Sequence, residues 1–149
     1  MAANSKPVVK ALEQALADTY ALALKTQNYH WNVEGPTFYG LHNLFEEQYT
    51  ELAAAVDEIA ERIRALGYAA PASFAAYSAM ATIGQGDNDV VPSATAMVKT
   101  LQKDHEAANA TVRKAFDAAD AAGDEATADL MVERRAAHEK TAWMLRASQ

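Results

Sequence analysis

The amino-acid sequence predicts an all-α protein, a four-helix bundle with a short extra helix in a long crossover between helices two and three. Three observations carry that prediction. Half of the 149 residues are apolar, with alanine abundant among them, and alanine forms helices best because it loses no side-chain entropy there. Apolar residues recur at helical spacing through four long stretches. Glycine and proline cluster between residues 35 and 92, which leaves those stretches largely free of helix breakers.

The first stretch runs through Val8, Leu12, Leu16, Thr19, Ala23, Thr26 and Tyr29/His30, with Pro7 suited to an opening turn. It stops at Gly35-Pro36, since a residue before proline is driven out of the α region. The second follows through Leu41, Phe45, Leu52, Val56, Ile59 and Ile63 to Gly67, a C-terminal stop. Residues 68–91 carry proline, glycine and Asp-Asn punctuation, but Ser73 is placed to cap a short helix over residues 74–79. Pro92 opens the third pattern, through Met97, Leu101, Ala108, Val112 and Phe116 to about Gly123. Asp124 caps the fourth, through Leu130, Met131, Thr141 and Leu145. One long and two short connections give the topology associated with ferritin-like bundles. The length suits one domain over residues 1–149, with a short N-terminal tail over about 1–6.

The formal net charge is −7, which favours attraction of cations and argues against a phosphate-binding surface. Cysteine is absent, so disulfides and thiol catalysis are excluded. The start, MAANSKPVVK, has no apolar leader core, and no stretch approaches membrane-spanning length. A cytoplasmic protein without membrane association is expected.

Chemistry concentrates in the run HWNVEGPTFYGLHNLFE and the acids that follow it. His42 and Glu46 stand one helical turn apart, as do Asp57 and Glu61, and all four stay within about a third of the helix circumference. They therefore border the apolar stripe, where carboxylates and imidazoles need a partner. A divalent metal would serve, and oxygen with imidazole nitrogen suits iron or manganese. The two pairs, however, lie about 22 Å apart along one helix, too far for one metal or a bridged metal pair. His30, across the Gly35-Pro36 turn, can fold back near His42. The chain thus carries two half-sites: His30, His42 and Glu46, and separately Asp57 and Glu61. Two copies of helix two packed antiparallel about a two-fold axis would complete two sites per dimer. The intramolecular alternative takes Glu-x-x-His from two helices, and no glutamate here has histidine at i+3. His105 and His138 read as ordinary hydrogen-bonded surface or core histidines, and Glu47, Glu51 and Glu58 as a solvated face.

These residues resemble a known family. His30-Trp31-x-Val33-x-Gly35, then Leu41-His42 and Glu46, is similar to the signature of the Dps (DNA-protection-during-starvation) miniferritins. Asp57-x-x-x-Glu61-Arg62 resembles the family's second ligand cluster, and Glu139-Lys140-x-x-Trp143-Met144-Leu145 its closing helix. The resemblance implies a hollow homo-dodecamer built from two-fold dimers, with twelve inter-subunit ferroxidase centres of two irons each. Fe(II) would be oxidised there by hydrogen peroxide in preference to dioxygen, and ferric mineral stored inside. By position, Asp57, Glu61 and a neighbouring subunit's His30 hold the first iron, and His42 and Glu46 hold or hydrogen-bond the second. Members often have aspartate where Glu46 stands, so occupancy of the second position is open. Trp31 is suited to interfacial packing, which accounts best for its bulk, and compatibly to acting as a local electron donor. Asp117, Asp120, Asp124 and Asp129 at the third junction suggest an acidic iron-entry pore, against helix capping and solvation. Zinc competes for such N/O sites, because it binds them more tightly than Fe(II).

Family members that bind DNA directly commonly use lysine-rich tails, and this N-terminus has only Lys6 and Lys10. Phosphate binding depends on clustered Lys and Arg. Weak or no DNA binding is expected near neutral pH, with a DNA-condensing shell as the rival reading.

Overall fold

The computed structural model describes residues 5–84, 86 and 90–149. Among them lie five helices and no strand: α1 (Ser5–Asn32), α2 (Phe38–Ala65), α3 (Phe74–Met80), α4 (Ala94–Ala121) and α5 (Glu125–Arg146). The all-α reading and the short helix in the crossover match this order. Of the expected tail, residues 1–4 lie outside the described residues, and Ser5 and Lys6 already belong to α1.

Local signals set the boundaries. The hydroxyls of Ser73 and Ser93 accept from the amides of Ala76 and Ala96, and the Asp124 carboxylate accepts from Thr127 N–H, as N-caps do. Pro92 thus precedes the cap of α4 instead of opening its first turn. At the end of α2, Gly67 has φ +93°. Its N–H bonds Arg64 O at 2.9 Å, and Tyr68 N–H bonds Ile63 O at 3.3 Å, a Schellman stop that a side chain at Gly67 would strain.

Long-range pairs give the helix directions. Lys25 meets Asp104 at 2.7 Å and Thr111 donates to Asp18 at 2.9 Å, so α1 and α4 run antiparallel. Arg134 grips Glu51, while Arg62 reaches Asp124 at 3.0 Å and Thr127 at 2.8 Å, so α2 and α5 do too. The helices bury Leu22, Phe45, Leu52, Leu101 and Leu145 toward one end, and Leu12, Leu16, Ile59, Ile63 and Met131 toward the other. Each such side chain contributes about 1.5–3 kcal/mol on burial.

The crossover is fastened to α1. Asp18 is 1 % exposed and accepts from Thr82 N–H at 2.6 Å, Thr82 Oγ1 at 2.7 Å and Ile83 N–H at 3.3 Å. Gln14 donates to Met80 O at 2.7 Å, and Tyr77 stacks on Tyr20 at 4.8 Å.

Candidate metal centre

The α1–α2 turn folds two imidazoles against each other. Val33, 1 % exposed, anchors the turn in the core, and Gly35 at φ +112° reverses the chain, with Phe38 N–H bonding Gly35 O at 3.0 Å. His30 in the last turn of α1 then stacks on His42 in the first turns of α2, at 3.9 Å between ring centres and 12° between planes. Phe38 stacks on His42 at 4.9 Å, and Tyr49 leans on His30 at 5.2 Å.

Reciprocal hydrogen bonds orient the pair. His30 Nδ1 lies 2.7 Å from His42 O, and His42 Nδ1 lies 2.6 Å from His30 O. A carbonyl oxygen only accepts, so each Nδ1 carries a proton, which leaves Nε2 as the nitrogen of each ring that can offer a lone pair. Metal-binding histidines are set up this way, with the far nitrogen tied to an acceptor that orients the ring. His30 is buried and His42 half-buried.

The carboxylates lie elsewhere on the chain. Glu46 follows His42 by one turn, and Asp57 and Glu61 sit near the far end of α2; all three are exposed. They face outward from the single chain, on the side of α2 opposite the core-facing Phe45, Leu52 and Ile59. Among the described residues no group of three or more His, Cys, Asp or Glu converges as a metal site. A single chain assembles the two histidines and leaves the acids apart.

Between the half-sites runs an exposed apolar groove, lined by Tyr20, Leu24, Tyr49, Ala53 and Val56. Tyr49 touches His30, and Val56 precedes Asp57. Leu24 in the groove wall is 49 % exposed, Phe74 nearby is 79 % exposed, and Trp31 in the last turn of α1 is 61 % exposed; contiguous exposed apolar surface marks interaction sites.

The junction acids differ among themselves. Asp124 caps α5 and pairs with Arg62. Burial works against its charge, but the Thr127 hydroxyl and amide and the Arg62 guanidinium together hold its carboxyl below the usual range. Asp117 pairs with Arg113 at 3.0 Å on the surface; Asp120 and Asp129 are exposed. Glu51 departs from the solvated-face reading, because Arg134, 5 % exposed, reaches it from α5 with both guanidinium Nη atoms. His105 and His138 are both core residues, bonded to each other.

The helix order and the long crossover define a helical protein of the ferritin-like class. A family model for the ferritin-like domain matches residues 9–148. The chain is 39 % identical over 143 residues to DNA protection during starvation protein 2 of Bacillus anthracis, covering 96 % of this chain and 97 % of that one. It superposes on the crystal structure of a Dps protein from Bacillus brevis with TM-score 0.93 and 37 % identity, covering 99 % and 97 %. A Dps protein from Vibrio cholerae, described as one of the ferritin-like diiron-carboxylate proteins, aligns with TM-score 0.92 and 33 % identity, covering 97 % and 89 %. The chain belongs to the Dps family.

Proposed function

We propose that this chain is a ferroxidase and iron-storage subunit whose di-iron sites form between two copies of α2. The observation that carries the reading is the symmetry of the ligands along that helix. His42 and Glu61 lie equally far on either side of the midpoint between residues 51 and 52, as do Glu46 and Asp57. An antiparallel pair of α2 helices crossing at that midpoint brings each histidine half-site opposite the acid half-site of the other copy. Ala53 and Ala54 beside the crossing let the helices approach, and the exposed groove and Trp31 supply apolar surface for a partner to cover.

Each completed site then holds imidazole nitrogens from His30 and His42 with carboxylates from Glu46, Asp57 and Glu61, a donor set suited to Fe(II). His30 and His42 turn Nε2 toward the site because Nδ1 is tied to a carbonyl, and the acids offset the charge of two ferrous ions. Glu61 has the reach to bridge them. The family resemblance and the diiron-carboxylate description of the Vibrio relative support iron as the substrate. Hydrogen peroxide is the preferred oxidant: two Fe(II) each give one electron and the O–O bond breaks, so one peroxide serves two irons. The assembly is a hollow dodecamer of two-fold dimers that stores ferric mineral in the cytoplasm. No helix among the described residues is long and apolar enough to cross a membrane. With a net charge of −7 per chain, the shell binds DNA weakly or not at all near neutral pH, and zinc competes for the same ligands.

The test is direct. Apo-protein is loaded anaerobically with Fe(II), and peroxide is added at about half the iron concentration. Ferric absorbance, peroxide consumption and particle mass are then followed. Fast oxidation using about one peroxide per two irons, in a particle near twelve subunits, supports the reading. Oxidation no faster than in protein-free buffer, in zinc-free protein of that mass, sinks it.

A further inference from the structure

A second histidine pair lies in the bundle core, away from the proposed iron ligands. His105 of α4 and His138 of α5 are each 1 % exposed, with their Nδ1 atoms 2.9 Å apart. One turn before His138, the buried Arg134 reaches across to Glu51 of α2. Because α2 and α5 are antiparallel, Gln48, one turn before Glu51, stands level with His138. Gln48 is 6 % exposed. Among the described residues, five buried polar atoms of this layer have no protein partner: Gln48 Nε2 and Oε1, His105 Nε2, His138 Nε2 and Arg134 Nε. The surroundings are apolar, with Phe45, Leu52, Leu101, Ala108 and Leu145 all in the core. A buried polar atom without any partner costs about 1–3 kcal/mol, so this polar layer is the part of the core whose stability depends most on its protonation.

The ligand such a layer takes is a proton. In the Nδ1–Nδ1 contact one ring donates and the other accepts, which requires both to be neutral or to share one added proton. A second proton sets two N–H groups against each other. The facing charges leave no anion to receive an imidazolium. On α5, Arg134 is itself a cation; on α2, Glu51 is held by Arg134; on α4, Asp104 is held by Lys25 of α1. A metal is poorly served, since only two imidazoles meet, beside a guanidinium.

We propose that the Gln48–His105–His138–Arg134 layer is an acid-responsive seam, closed while the histidine pair is neutral and loosening α5 from α2 and α4 as protons enter. Burial, reinforced by Arg134, keeps the His105 imidazole well below its ordinary range, and burial, His105 and Arg134 do the same for His138. The unfolded chain therefore binds more protons than the folded one below about pH 6.5. The seam's contribution is fully present above that pH and is lost as pH falls toward the lowered native values.

The experiment compares the parent protein with the double variant His105→Leu/His138→Leu at one protein concentration. Urea unfolding is followed by circular dichroism from pH 7.5 to pH 4.5. Each histidine withheld from protonation adds up to about tenfold per pH unit to the unfolding constant. Below pH 6 the parent should therefore steepen by up to about 100-fold per unit relative to the variant, whatever the offset between the two at pH 7.5. Parallel pH profiles overturn the proposal. Should the variant not fold, deuterium exchange at imidazole C2, read by mass spectrometry on the intact parent assembly, decides. Neither His105 nor His138 should titrate between pH 5 and 8; a midpoint near 6.5 for both refutes the seam.

Discussion

His30 and His42 hold each other's rings in register: each Nδ1 lies within 2.7 Å of the other's main-chain carbonyl, and the rings stack at 3.9 Å. The end of one helix and the start of the next thus orient both potential ligands before any metal arrives. Only the short turn between α1 and α2 makes the exchange possible, and so the first expectation concerns that turn.

Gly35 has φ +112°, with open space where a side chain would stand. Gly35→Ala should therefore destabilise through backbone strain alone, by about 1–3 kcal/mol. A lower urea midpoint with an unchanged slope would show it; an unchanged midpoint would mean that the turn tolerates a side chain.

Asp124 offers a pH-dependent counterpart. Its carboxyl is held below the usual range, so its stabilising effect is present above the unfolded value near 3.8 and lost as pH falls through the lower folded one. Asp124→Ala should cost about 1–2 kcal/mol at pH 7 and converge on the parent in strong acid. A deficit unchanged at low pH would argue against the Arg62 and Thr127 contacts as its source.

The crossover should answer to Asp18. Asp18→Ala strands the buried Ile83 N–H and the Thr82 and Thr111 donors, at a cost of about 2–4 kcal/mol. Limited proteolysis should then cut within residues 68–91 faster than in the parent, with little change in cleavage elsewhere. Uniformly faster cleavage would point to global destabilisation instead.

DNA supplies a negative expectation. In gel-shift titrations at about 0.15 M salt, duplex DNA should stay unshifted up to micromolar protein, because the chain lacks the clustered cations that release counterions. A tight, salt-sensitive shift would favour the DNA-condensing reading.

Much of this architecture was legible in the sequence because its signals are local. Ser73 and Asp124 declare their helix starts, Gly67 and Gly123 their ends, and the short turn places His30 near His42. What stayed hidden depends on how helices rotate against distant neighbours. Nothing around Glu51 reveals that Arg134, 83 residues away, reaches it from α5. The same holds for His105 and His138, 33 residues apart, whose spacing within each helix looks ordinary. Asp18 reads as one more acid on an alanine-rich helix, since most of its partners sit in a crossover that lacks helical periodicity. Glu46, Asp57 and Glu61 stand exposed on the single chain instead of bordering its apolar stripe.

The central claim is that each iron site takes ligands from two chains. It is tested most directly by mixing His30→Ala and Asp57→Ala proteins under conditions of proven subunit exchange. Losing a group that only orients a metal ligand costs about 10–100-fold, so losing a direct ligand should leave each variant nearly inactive alone. Every mixed dimer, however, carries one site with both lesions and one with neither. With random mixing, about a quarter of the parent's peroxide-driven Fe(II) oxidation should return. If exchange is complete and no activity returns, the two half-sites do not meet across subunits.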